Sequence, residues 1–405
     1  MTNSDVYITG MGLIAPSGFG GSDYIASLAE RDPNFTHWPE DQHPPRASAM
    51  LGVSSVYPVE KYFTDRQLRL ADRAMAMAMC AVGSALEDAG IGEIDCADEV
   101  ATIFGSMRSE HSSTQRFSLP FLMGKPKSLN AAQFPMIARN VACGQVAMNL
   151  GLRGMSSMEC SGPLASLGAI ARGYDLVRRG RAPMAIVGGV ETLSKFSVNQ
   201  SRHLYQQYLQ GERPDFFAGA GGTLVPSEGC SMLILESAEH AERRGATPYA
   251  RIVGSTAGRL GRDQDGASAA GFLTRLLDTN SDARQAWKDV AFISASNSGC
   301  ATTASLLELE MLRSIYDQYD VAPPVTAARS WIGEAESVAS SLQVQVAANA
   351  FRTGSVPATR STAAQAAVGI NVVRQALAVK PSSALVTGFD EARNYVFLRL
   401  AQVAK

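Results

Sequence analysis

Cys160 closes the run MSSMEC and opens SGPLASLGAIARGYDLVRRG, which places one thiol at a predicted strand-to-helix turn. A cysteine acts as a nucleophile only as the thiolate. The first turn of a helix favours that form through its unpaired N–H groups and partial positive charge. Ser161 and Gly162 are small enough to let a substrate backbone approach, and Pro163 is tolerated in a first turn. The chemistry such a thiol performs is acyl capture. Glu159 would oppose the thiolate if it shared a side with Cys160, although neighbours in a strand face opposite ways. A buried structural cysteine fits the same local features, and both readings stay open here.

The elements that must position this thiol alternate short β-branched runs with longer alanine-rich helical runs, as in an α/β protein whose strands are buried on both faces. VYITGMGLI is a predicted strand, RLADRAMAMAMCAVGSALEDAG (69–90) a helix apolar nearly all round with Gly90 as its C-cap, and VATIFGS a further strand. Residues 107–135 read as an irregular aromatic excursion. MSSMEC, the helix after it and APMAIVGGVE form a β–turn–α–β unit. A second strand–helix–strand passage links two halves of similar element order, 1–245 and 246–405. A helix from Thr303 to Tyr316 and the closing strands SALVTGF and YVFLRLA follow.

At 405 residues the chain exceeds one small core. Its 46% hydrophobic and 18% charged residues describe a globular protein, and a net charge of −2 without a dense basic run excludes a nucleic-acid footprint. Arg178, Arg179 and Arg181 close a helix and favour its C-terminal dipole. No apolar stretch has the length of a membrane span, and the N-terminus lacks the basic region of a signal peptide. Six cysteines without a C-x-x-C pair suit reduced thiols in the cytoplasm and argue against disulfides and zinc.

GMSSMECSGPLASLGAIARGYDLVRRGRAPMAIVGGVE resembles the nucleophile segment of the β-ketoacyl synthase family, and the resemblance runs across nearly the whole chain. VYITGMGLIAPSG is similar to the family's opening strand, NAAQFPMIARNVACGQVAMNLGLRG to the segment before the nucleophile, and VPSEGCSMLILESAEHAERRGATPYARIVG to its EGAG passage. The resemblance implies a thiolase-like fold of duplicated α/β halves in five layers (αβαβα), an obligate dimer, and acyl chains carried on acyl carrier protein. It implies no metal or organic cofactor; the phosphopantetheine arm of the carrier protein is the prosthetic group in view.

Decarboxylative condensation in that family also needs two histidines and a supporting lysine from the C-terminal half. The five histidines here are His37, His43, His111, His203 and His240, so none lies beyond residue 240. SASNSGCAT stands at the first histidine loop with Ser296 in its place. ARSWIGEAES stands at the lysine–histidine segment, with Arg329 for lysine and Glu334 for histidine, two residues able to pair with each other. A carboxylate there would repel both a malonyl carboxylate and a developing enolate. GFDEARN replaces the family's glycine-rich terminal loop, putting Asp390 and Glu391 where glycines turn a backbone amide toward the thioester oxygen.

The resemblance therefore implies a non-condensing subunit, the chain length factor that pairs with a catalytic ketosynthase in type II polyketide systems. Cys160, where better-known factors carry glutamine, directs it toward polyene systems, including the aryl polyene pathways of Gram-negative bacteria. Met107, His111, Thr114, Phe117 and Phe121 then fall in the region resembling the tunnel wall at the dimer interface, where Phe117 and Phe121 also suit plain interface core. The alternative is an acyl transferase or thioesterase that uses Cys160 on carrier-protein thioesters without a recognisable base.

Overall fold

The computed structural model describes residues 4–37, 50–54, 57–64, 67, 71–205, 208–209, 215–217, 222–277, 282–297, 300–361, 369–380 and 382–403. His43, residues 69–70 of the predicted first helix, and Ser298 and Gly299 of the first histidine loop lie outside them.

Ten principal strands are β1 (Val6–Ala15), β2 (Ala101–Gly105), β3 (Ser156–Glu159), β4 (Met184–Glu191), β5 (Gly229–Ser237), β6 (Ala250–Arg259), β7 (Val290–Ser294), β8 (Val325–Thr326), β9 (Ser383–Phe389) and β10 (Asn394–Ala401). Their hydrogen-bonded order is β8-β7-β9-β10-β6-β1-β5-β4-β2-β3. Split at the β6–β1 junction, the halves are copies: β3-β2-β4-β5-β1 in one and β8-β7-β9-β10-β6 in the other. Parallel and antiparallel neighbours fall at the same places in both. Within the sheet the two halves are joined by Val6–Ile8 pairing with Ala250–Ile252.

The helices that matter here are α1 (Arg73–Asp88), α2 (His111–Leu122), α3 (Val141–Asn149), α4 (Ala165–Arg178), α5 (Lys195–Tyr205), α6 (Gly266–Leu277), α7 (Thr303–Tyr319) and α8 (Ser337–Thr353). α4 and α8 touch each other and strands of both halves. α1 and α3 cover one outer face, α6 and α7 the other, which completes the five layers. One apolar cluster surrounds the middle layer on both sides, and one further cluster fills each outer gap.

The middle layer carries the functional segments, and its chemistry is unusual for a core helix. In α8 every residue from Ser337 to Ala350 is buried, glutamines included. Gln343 donates to the carbonyls of Ser294 and Thr387, and Gln345 to those of Gly12 and Met232, so the two amides together tie α8 to strands of both halves. α4 approaches β2 so closely that a Cβ at Gly105 would lie 2.3 Å from the backbone of Ala165 and Ser166.

One element corrects the sequence reading. The excursion at 107–135 is largely helical: α2, followed by the 3₁₀ turn Ala131–Ile137. Pro120 cannot donate to the turn before it. The helix nevertheless closes through the Met123 N–H on the Leu119 carbonyl at 3.0 Å. Its polar, proline-containing sequence lacks the apolar period that marks a buried helix, because much of its surface is open.

Candidate functional site

β3 delivers Cys160 to the end of the edge strand, and the chain then turns through Gly162 (φ +77°), a left-handed conformation suited to glycine. A 3₁₀ turn, Gly162–Leu164, separates the cysteine from α4, which begins only at Ala165. The helix dipole therefore reaches Cys160 less directly than the sequence suggested. Of the six cysteines, Cys160 is the exposed one; Cys96 is half-buried and the other four are buried. Glu159 is turned to Arg172, whose Nη1 donates to it at 2.7 Å, so its charge is neutralised away from the thiol. The group beside the thiol is Arg139: contact with Cys160, and secondarily the charge of Glu110 at 3.3 Å, raise the guanidinium's pKa.

Behind this turn lies a small open cleft between the two halves, where Ser296, Arg329 and Glu334 come together with Met107, Asp390 and Glu391. Cys160 does not line it, although Pro163 does. Ser296 is buried and fully engaged. Its N–H and Oγ–H both donate to Glu308 Oε1 (2.9 and 3.1 Å), and its Oγ accepts the Phe389 N–H at 3.2 Å. Burial pushes the pKa of Glu308 up, despite donors from Thr387 and Ser296 and the nearby Arg329 charge.

Arg329 and Glu334 form a buried ion pair, Nη1 to Oε2 at 2.8 Å, while Glu334 Oε1 accepts the Glu336 N–H at 3.0 Å. Glu336 holds a positive φ of +48° without being glycine, a conformation that costs on the order of 1–3 kcal/mol. Its carboxylate meets Arg108, whose Nε donates at 2.7 Å. Asp390 accepts from Ala392 N, Asn394 N and Asn394 Nδ2, and Glu391 caps α7 by accepting the Thr303 N–H at 3.0 Å.

Two chemical consequences follow. The cleft lining sets Arg108 and Arg329 against Glu334, Glu336, Asp390 and Glu391, so its net charge is negative and unfavourable to a malonyl carboxylate. The Phe389 amide is occupied by Ser296 and the Asp390 amide by the Asn394 carbonyl (3.1 Å), which leaves neither turned toward a thioester oxygen.

The tunnel candidates divide. Met107 lines the cleft, and its N–H donates to the buried Glu191 at 2.5 Å. His111 meets Phe196 edge-on at 5.0 Å, and burial lowers its pKa. Thr114 lies part-exposed along α2. Phe117 packs on Phe134 (5.7 Å), and Phe121 is 65% exposed within an apolar surface shared with Leu119, Leu122, Met123 and Phe134. Sequence reasoning passed over Arg108, Glu336, Glu308 and Arg139. Glu308 alone left a signal, an acid on the apolar face of LLELEML.

This duplicated fold, with a cysteine at the end of β3 and its cleft between the halves, defines a thiolase-like chain of the ketosynthase type. The chain belongs to the β-ketoacyl synthase family: the family model "Beta-ketoacyl synthase, N-terminal domain" matches residues 3–241. It is 29% identical over 416 residues to the ketoacyl synthase beta subunit of the tetracenomycin polyketide synthase of Streptomyces glaucescens, covering 96% of this chain and 97% of that one. To the alpha subunit of the same synthase it is 27% identical over 376 residues, covering 87% and 86%. Among solved structures, the ishigamide ketosynthase/chain length factor superposes with a TM-score of 0.85 at 20% identity, covering all of both chains. A type II polyketide acyl-carrier protein in complex with its ketosynthase gives 0.84 at 19%, over 99% and 100%. Among the described residues no helix is long and apolar enough to cross a membrane.

Proposed function

We propose that this chain is a chain length factor: the non-condensing subunit of a type II polyketide-like ketosynthase heterodimer, which shapes the tunnel for carrier-protein-bound acyl chains. One observation carries the reading. The positions that resemble the two catalytic histidines and their lysine are filled by Ser296, Glu334 and Arg329, bound to Glu308 and to each other, with no imidazole among the described residues that line the cleft. The similar beta subunit and ketosynthase/chain length factor structure support it.

The apolar surface around Phe121 and the open edge of β3 are where the catalytic subunit docks. Met107, His111, Thr114 and Phe117 line or back the tunnel. The division at 245/246, a cytoplasmic setting and a polyene pathway of the aryl polyene kind belong to the same proposal. Co-expression with an intact Cys–His–His ketosynthase tests it: a heterodimer whose product length changes in Phe117→Ala supports the role, and two separable proteins with unaltered products refute it.

The exposure of Cys160 and its contact with Arg139 favour a second reading, in which this thiol accepts an acyl group from a carrier-protein thioester. Intact-mass analysis after incubation with acyl-carrier-protein thioesters decides it: a stable acyl adduct absent from Cys160→Ala supports the transferase, and an unmodified chain removes it.

A further inference from the structure

Outside the cleft, Asp95, Cys96 and His240 bring a carboxylate oxygen, a thiol and an imidazole nitrogen within 4.8 Å of one another. Asp95 and Cys96 lie in the connection between α1 and β2, and His240 in the short helix Ala238–Arg243 after β5. His240 Nε2 is 3.2 Å from Asp95 Oδ1 and 3.6 Å from Cys96 Sγ.

The other ring nitrogen is committed. Nδ1 lies 2.5 Å from Oε2 of Glu236, a wholly buried residue also held by Arg244 Nε (2.8 Å) and by Thr9. Glu236 accepts the hydrogen bond that Nδ1–H donates, which leaves Nε2 facing Asp95 and Cys96.

A carboxylate behind the imidazole is the usual support of a metal-ligating histidine. Tetrahedral zinc, about 2.3 Å from sulfur and about 2.0–2.2 Å from nitrogen or oxygen, sets its ligand atoms roughly 3.3–3.6 Å apart. The separations around Nε2 are close to that spacing. We propose that Asp95, Cys96 and His240 bind a thiophilic divalent cation, Zn²⁺, with water in the fourth position, tying the turn before β2 to the helix after β5. Binding breaks the Cys96 S–H bond, sends its proton to solvent and forms a sulfur–metal bond, with no redox change. Arg243, 3.4 Å from Asp95 Oδ2, opposes the cation, but its side chain is exposed and screened. The cysteine spacing argued against zinc because 144 positions separate Cys96 from His240, and only the fold brings them together.

The test titrates the metal-stripped full-length chain with Co²⁺ and then Zn²⁺. One equivalent of Co²⁺ per chain should bind with a thiolate-to-cobalt charge-transfer band, yield to Zn²⁺, and Zn²⁺ should raise the thermal midpoint. Cys160→Ala should keep all of this. Cys96→Ser should lose the band, and Asp95→Asn should bind Zn²⁺ about tenfold more weakly, both retaining the wild-type circular dichroism. No Co²⁺ uptake by the wild type, or an unchanged band in Cys96→Ser, overturns the site and leaves His240 as a structural hydrogen-bonding partner of Glu236 and Asp95.

Discussion

Arg329 Nη1 donates to Glu334 Oε2 at 2.8 Å, so the positions that resemble the family's lysine and second histidine are locked to one another in the cleft lining. Both side chains are largely buried, which makes the pair a single unit energetically. Removing one partner strands the other charge. Glu334→Ala should destabilise the chain by roughly 3–5 kcal/mol, while Arg329→Met/Glu334→Leu should recover most of that loss. Denaturant titration of the wild type and the two variants checks both statements.

Glu308 anchors Ser296 yet is buried with its pKa raised, and its Oε2 has no hydrogen-bond partner among the described residues. The sign follows from linkage. The folded state disfavours the charged carboxylate, so Glu308's contribution is fully present below its unfolded pKa and is lost as pH rises through the folded one. Glu308→Gln should therefore gain stability relative to wild type as pH rises from about 4 to about 8. Thermal midpoints at the two ends measure that difference, and a constant offset would show that Glu308 does not titrate between them.

Cys160, exposed beside Arg139, should be the first thiol alkylated in the native chain. Arg139→Ala should slow that reaction by roughly threefold to tenfold, a charge effect reduced by solvent. Peptide mapping after a short iodoacetamide pulse gives the site and the rate.

Much of this was legible in the residues. Strand and helix order followed from alternating β-branched and alanine-rich runs, and Gly90 ends α1 with φ +70° as its position suggested. The loss of the histidines needed only a count. What stayed hidden depends on contacts distant in sequence. Arg108 meets Glu336 across 228 positions, and Arg139 finds Cys160 only when α3 packs beside β3. α2 was misread because its apolar residues face outward near its C-terminal end, where Leu119, Phe121 and Leu122 remain exposed.

That outward face yields its own prediction. Phe121→Asp adds a charge to an already exposed position, so the isolated chain should keep its thermal midpoint within about 0.5 kcal/mol of stability. Assembly with a ketosynthase partner should be lost. Size-exclusion chromatography with multi-angle light scattering on the co-expressed pair reports the outcome.

The most direct test is carrier-protein-dependent condensation by this chain alone, by a co-expressed ketosynthase alone, and by the two together with wild type or Cys160→Ala. A chain length factor predicts elongation by the pair only, undiminished in Cys160→Ala. Turnover of acyl thioesters by this chain alone, abolished in Cys160→Ala, would contradict that role and make Cys160 the nucleophile of an acyl transferase.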